Sequence, residues 1–251
     1  MGKLFASDFE RRGLAFASPK TGNKKFMVSS PSKKEIAWHT EILPGNAKKA
    51  LDLLAQQKWL KNTEWYLAGG TALALHVGNR QSVDLDFFLP KNDFRIAAVL
   101  KHFDGMNWET SVAKEGTIYG KLLGAKVSFI AYPFFVPKQS PGWYGNVRIL
   151  QPTDIAVMKV IAISQRGRKR DFFDLYWCVK NLESLEQIMR RLNTQYPTVT
   201  HNYHHIIKSL VYFADAEADP TPRLMFRANW KEVKRFFQNE ASELVKKLVL
   251  E

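Results

Sequence analysis

One cysteine, Cys178, is all that the 251-residue chain contains, so no intramolecular disulfide can form and a reducing compartment is its natural setting. Its surroundings, LYWCVKNL, read as a helix face rather than a reactive thiol. Long apolar runs are missing too. FIAYPFFV is short and IAVMKVIAI is broken by Lys159, and neither nears the ~18 residues that a bilayer-spanning helix needs. The first residues include Asp8 and Glu10 and lack an apolar stretch, which argues against a secretory signal. The expected location is therefore cytoplasmic, with no membrane partner. There is no internal repeat and no aromatic-interleaved RNA-binding motif of the RRM type.

Acidic side chains are the scarcer sign of charge, 24 Asp plus Glu against 37 Lys plus Arg, a net of +13. Such an excess suits a polyanionic partner, RNA before others, although a solvated basic surface would carry the same charge. Part of it, from Lys3, Arg11 and Arg12 to Lys33 and Lys34, lies amid Ser, Pro and Gly, so residues 1–40 read as a basic, mobile segment. With 45% hydrophobic residues the remainder can bury one good core or two modest ones. Its character divides it into an α/β part over 41–150 and a helical part over 151–251.

The stretch GGTALALHVGNRQSVDLDFF, Gly69 to Phe88, joins a glycine turn to paired carboxylates. Glu64 to Ala68 reads as a short apolar strand. Gly69 and Gly70 then let main-chain amides approach an anion before Thr71 opens a short helix, the makings of a phosphate cradle. After the loop Gly78 to Ser82, VDLDFFL (Val83 to Leu89) reads as a buried strand on which Asp84 and Asp86, two apart, share a face. Neighbouring carboxylates repel unless one is protonated or a cation sits between them, and an all-oxygen pair favours magnesium, or manganese in its place. Arg80, just before the strand, is positioned to add charge-assisted bonds to phosphate, the competing reading being a solvated loop arginine. His76 reads as packed rather than catalytic.

Residues 45–60 show helical spacing with Leu51, Leu54, Ala55 and Leu60 on one side, and Asn92 to Phe103 reads as a second helix capped by Asn92 or Asp93. GTIYGKLL and AKVSFIAYPF read as a hairpin joined through Gly124, with the sheet ending near Val136. From Pro152 the pattern is helical. Thr153 or Asp154 caps a helix to Gln165 that Gly167 ends; Lys169 to Asn181, Glu183 to Asn193, Tyr203 to Ala216 and Trp230 to Leu250 follow. Pro220 and Pro222 mark an extended crossing segment. Lys159 interrupts an apolar helix, and burying an unpaired ammonium is costly, so it needs an anion; a lysine snorkelling from the helix edge is the alternative. On the next helix Asp171 and Asp174, three apart, share a face, although carboxylates there can also merely complement the helix dipole.

The order of strand, Gly-Gly turn, short helix and Asp-x-Asp strand resembles the AbiEii/AbiGii-type nucleotidyltransferase toxin family. The resemblance recurs in DIAVMKVIAISQRGRKRDFFDLYWCV, Asp154 to Val179, and YFADAEADPTPRLMFRANWKEVKRFF, Tyr212 to Phe237, and covers about residues 41–245. It implies a nucleotidyltransferase-like mixed β-sheet flanked by helices, then a mostly helical half. It implies an enzyme that transfers a nucleotide from an NTP to an RNA, tRNA first, as the toxin of a toxin-antitoxin or phage-defence pair with a cognate antitoxin. On this resemblance Lys159 faces the triphosphate, while Asp171 and Asp174 line the cleft with Asp84 and Asp86. One departure stands out. Many nucleotidyltransferases carry a third carboxylate on a later strand, and Lys126 to Tyr132 holds Ser128 and no acid. Asp171 or Asp174 is the expected substitute. The alternative is a catalytically silent protein that binds nucleic acid or a partner on the same fold.

Overall fold

The computed structural model describes residues 36–248. Most of the basic segment expected to be mobile, and the last residues of the expected final helix, lie outside that range. Seven strands form one sheet: β1 (Tyr66–Ala68), β2 (Leu85–Leu89), β3 (Trp108–Lys114), β4 (Thr117–Leu122), β5 (Ala125–Ala131), β6 (Gly142–Tyr144) and β7 (Val147–Ile149). Their order is β3-β4-β5-β2-β1-β7-β6. The sheet is mixed as expected, with β2 parallel to β5 and β1 parallel to β7, the other pairs antiparallel.

Alternation along β2 and β5 gives the sheet two unlike faces. Leu85 and Phe87 pair with Val127 and Phe129 on the buried face. Phe129 there meets Phe87 and Trp65, each with centroids 5.1 Å apart. Helix α1 (Gly45–Ala55) covers this face with Ala47, Ala50, Leu51 and Leu54, and α2 (Lys58–Lys61) follows as a separate turn rather than a continuation. On the opposite face Asp86 pairs with Ser128 and Phe88 with Ile130. Helix α3 (Gly69–Val77) springs directly from β1.

From Pro152 the described chain is helical: α5 (Pro152–Arg166), α6 (Lys169–Asn181), α7 (Leu185–Arg190), α8 (Leu192–Gln195), α9 (Tyr203–Leu210), α10 (Ala214–Glu217) and α11 (Trp230–Leu248), preceded in chain order by α4 (Ile96–Leu100). Gly167, left-handed at φ +50°, ends α5 as its position predicts. The segment bearing Pro220 and Pro222 crosses back to the loop before β2, where Gln81 donates to the Arg223 carbonyl and Met225 to the Asn79 carbonyl.

Several expectations need correction. The sheet does not end near Val136, because the β6–β7 hairpin adds to its other edge. Strand β3 carries almost wholly exposed side chains, and so has no apolar alternation to reveal it. The expected helix from Asn92 shrinks to α4 plus a short 3₁₀ turn, and Arg95 precedes it; Phe94 is held edge-on against Trp65 instead. Neither Thr153 nor Asp154 caps α5, which Gln151 precedes. Asp154 is buried and accepts from the amides of Lys138 and Gln139. The expected helices over 183–193 and 203–216 each break in two.

Candidate active site

Strand β1 ends at Ala68 and the chain turns through Gly69, whose φ of +71° favours glycine. A Cβ on Gly69 would stand 3.4 Å from Asp86 Oδ2, and one on Gly70 would run into Arg80 Nη2. The glycine pair is therefore packed close on both sides. Thr71 is buried. Its Oγ1 shares a hydrogen bond with Ser82 Oγ (2.8 Å) and donates to the Asp84 carbonyl. β1 ends at Ala68 opposite Asp86, and β2 begins at Leu85 and not at Val83, which is exposed. Thr71 braces the acid loop.

Asp84 and Asp86 border one cavity of about 370 Å³ with Gly69, Gly70, Lys159, Arg166, Arg170 and Asp171. Asp84 Oδ1 is buried with no hydrogen-bond partner among the described residues. Asp86 Oδ1 accepts from Ser128 Oγ at 2.7 Å. Burial pushes the Asp86 carboxyl above its ordinary range, the Ser128 bond opposes this, and the Asp84 charge adds to it. Such a pair calls for a cation. The donor set fits a hard divalent ion in part: two carboxylates, one with an orphaned oxygen, suit it, but among the described residues no cluster of three or more His, Cys, Asp or Glu could hold one.

Beneath the cavity lies a buried ionic network. Arg80 grips Asp174 with Nε on Oδ1 (2.7 Å) and Nη2 on Oδ2 (2.8 Å), and Asn79 donates to Oδ1 at 2.9 Å. Lys159 Nζ lies 2.6 Å from Asp171 Oδ1 and 2.7 Å from Asp174 Oδ2. Burial alone would raise the carboxyl of Asp174, but Arg80 and Lys159 hold it far below its ordinary range, and Lys159 and Arg166 act likewise on Asp171. Both oxygens of Asp174 are engaged, whereas Asp171 reaches the cavity wall. Arg80 is a buried strut between the loop and α6, not a solvated loop residue.

The mouth carries two half-exposed arginines that sequence reasoning passed over. Arg170 Nη1 lies 3.5 Å from Asp84 Oδ2 and Arg166 Nε lies 3.3 Å from Asp171 Oδ2. Arg166 follows Lys159 by seven residues, hence on one helix face, and that spacing was the signal available. At the far end Phe88, Tyr132, Tyr196, Ile130 and Met158 give the cavity an apolar, aromatic wall. His76 is packed against Trp38 with centroids 4.7 Å apart, and Cys178 is buried. Among the described residues no helix is long and apolar enough to cross a membrane.

The family model of the AbiEii nucleotidyl transferase toxin, type IV toxin-antitoxin system, matches residues 52–115 and 124–246. Over 190 residues the chain is 33% identical to an uncharacterized protein of Aquifex aeolicus (strain VF5), spanning 72% of this chain and 87% of that one. Among solved structures MenT4, a nucleotidyltransferase toxin from Mycobacterium tuberculosis H37Rv, aligns with a TM-score of 0.51 at 15% identity over 80% of this chain and 86% of that one. The shared fold is that of nucleotidyltransferases.

Proposed function

The chain belongs to the AbiEii nucleotidyl transferase toxin family, and from that premise we propose that it moves a nucleotide from an NTP onto an RNA, tRNA first, in a metal-dependent reaction. In the same reading it is the toxin of a toxin-antitoxin or phage-defence pair and acts in the cytoplasm. The observation that carries this is the Asp84/Asp86 pair at the cavity edge, one oxygen orphaned, beside the glycine turn that starts α3.

Asp84 and Asp86 would hold magnesium, or manganese in its place, which when bound offsets triphosphate charge and polarises the α-phosphorus. Ala68 gives α3 no side-chain cap, which leaves the amides at Gly70 and Thr71 for phosphate oxygens. Thr71 itself serves by holding the Asp84 loop. Lys159, Arg166 and Arg170 supply cations along the cavity, and the two arginines, loosely paired and half exposed, are free to turn onto phosphate. Asp171 and Asp174 fix Lys159, and Asp174 fixes Arg80, so their role is positioning. Asp84, Asp86, Asp171 and Asp174 meet an equal number of cations, Arg80, Lys159, Arg166 and Arg170. A triphosphate entering so balanced a cluster needs counter-charge of its own, which supports arrival with a divalent ion. The nucleoside fits the aromatic end, against Phe88 and Tyr132.

In the reaction an acceptor hydroxyl oxygen bonds to the α-phosphorus while its bond to the α–β bridging oxygen breaks. Pyrophosphate leaves with that electron pair and the hydroxyl proton is released. The test is incubation with each labelled NTP, magnesium and total tRNA, with label expected to appear in RNA. Ser128, in register with Asp86 where a third acid could stand, favours a second reading, a silent protein that binds nucleic acid or a partner. Magnesium-dependent NTP binding without transfer to any RNA would decide for the second.

A further inference from the structure

Asp84 and Asp86 border a second cavity, which Lys159 does not line. It measures about 310 Å³ and is lined also by Ser111, Tyr119, Lys121, Lys126 and Ser128. Register explains its layout. Asp86, Ser128, Tyr119 and Val112 form one row across β2, β5, β4 and β3, and Lys126 pairs with Lys121. Residues two apart on a strand share a face about 7 Å apart. Along the strands this face therefore reads basic, then acidic, then aromatic.

The two lysines stand directly opposite each other, which costs stability unless an anion lies between them. Among the described residues neither has an ion-pair partner, although Glu109 is next in their row on β3. A β-bulge between Thr110 and Val112 leaves Ser111 unpaired and brings it to the cavity wall. Tyr119 is 45% exposed and borders both cavities. β4, which carries Tyr119 and Lys121, falls between the two stretches that fit the family pattern, whereas Ser111, Lys126 and Ser128 fall within them.

We propose that this cavity is the acceptor subsite, holding a single-stranded nucleic-acid end with its phosphates on Lys121 and Lys126 and a base stacked on Tyr119. The proposal rests on the nucleotidyl-transfer reading above and gives the acceptor its path. In-line displacement requires the attacking hydroxyl opposite the departing pyrophosphate. With triphosphate on the Lys159 side of the acids, the acceptor must come from the hairpin side. One exposed ring beside a narrow cavity suits an unstacked strand and not a duplex.

The experiment pairs two variants of equal charge loss, Lys121→Gln/Lys126→Gln at the cavity and Lys58→Gln/Lys61→Gln on the other face's covering turn. Binding of a labelled single-stranded RNA oligonucleotide is read by anisotropy between about 50 and 200 mM salt, and transfer to tRNA is assayed in parallel. For the cavity variant the slope of log affinity against log salt should shrink by about 1.4, the loss of two phosphate contacts, with a raised acceptor KM; the control should keep both. Tyr119→Ala should bind about tenfold more weakly while Tyr119→Phe does not. An unchanged slope, an equal loss in the control, or no RNA binding by the wild type overturns the subsite. A changed slope without any transfer leaves a single-strand binding site at this cavity and sinks its acceptor role together with the transferase reading.

Discussion

At Asp86 burial and the neighbouring Asp84 charge both oppose ionisation and outweigh the Ser128 hydrogen bond and the charges of Arg170 and Arg166 that favour it. A divalent ion relieves that conflict, so Asp86→Asn should cut transfer by about a hundredfold or more and abolish the magnesium dependence of NTP binding by calorimetry. Wild-type values for both would mean the acid pair is not the metal site. His76 gives a separate pH signature. Burial lowers its pKa from 6.5 to about 4, so the unfolded chain takes up a proton that the folded one refuses. Stability from this residue is full above pH 6.5 and declines as pH falls toward 4. His76→Phe should flatten the melting temperature over that window, and an unaltered slope would clear His76 of the effect. Asp84, Asp86 and Gly69 were legible because their spacing and backbone freedom are written locally. The buried fate of Arg80 was not, since its partner Asp174 lies 94 residues further on.

The α5–α6 pair is held by charge as well as by packing. Asp174→Asn leaves Arg80 and Lys159 buried and short of an anion and should cost about 3–5 kcal/mol in urea unfolding. Lys159→Met leaves Asp174 still gripped by Arg80, so its stability loss should be smaller and its loss of NTP affinity larger. If the two variants rank the same way in both measurements, lysine and aspartate do one job. Asp171 and Asp174 have lowered pKa values, so their contribution is present above about pH 4 and is lost as pH falls through the folded values. That lies below the His76 window. Helix α6 was legible to the residue, Gly167 before it punctuating the chain, whereas α4 was not, because Phe94 follows a tertiary contact rather than a local preference.

Across the whole molecule the change from sheet to helices falls at Pro152, where composition shifts. The sheet's outer strands escaped notice because β3 is polar and β6 and β7 are three residues each, too short to show a period. Stopping the chain after Asn229 removes α11, which buries Phe237 against Phe172. Such a truncation should lose cooperative unfolding by calorimetry, and a sharp transition near the full-length one would mean that α11 is dispensable. The crossing segment adds a matter of timing. The loop that leads to Asp84 bonds to Arg223 and Met225, which a ribosome delivers on the order of ten seconds later. A nascent chain that has already made its acid strand still lacks the partners that set that loop. The loop is therefore set only after the helices from Pro152 to Glu217 have been made, and a chain built this way withholds its finished acid pair until then.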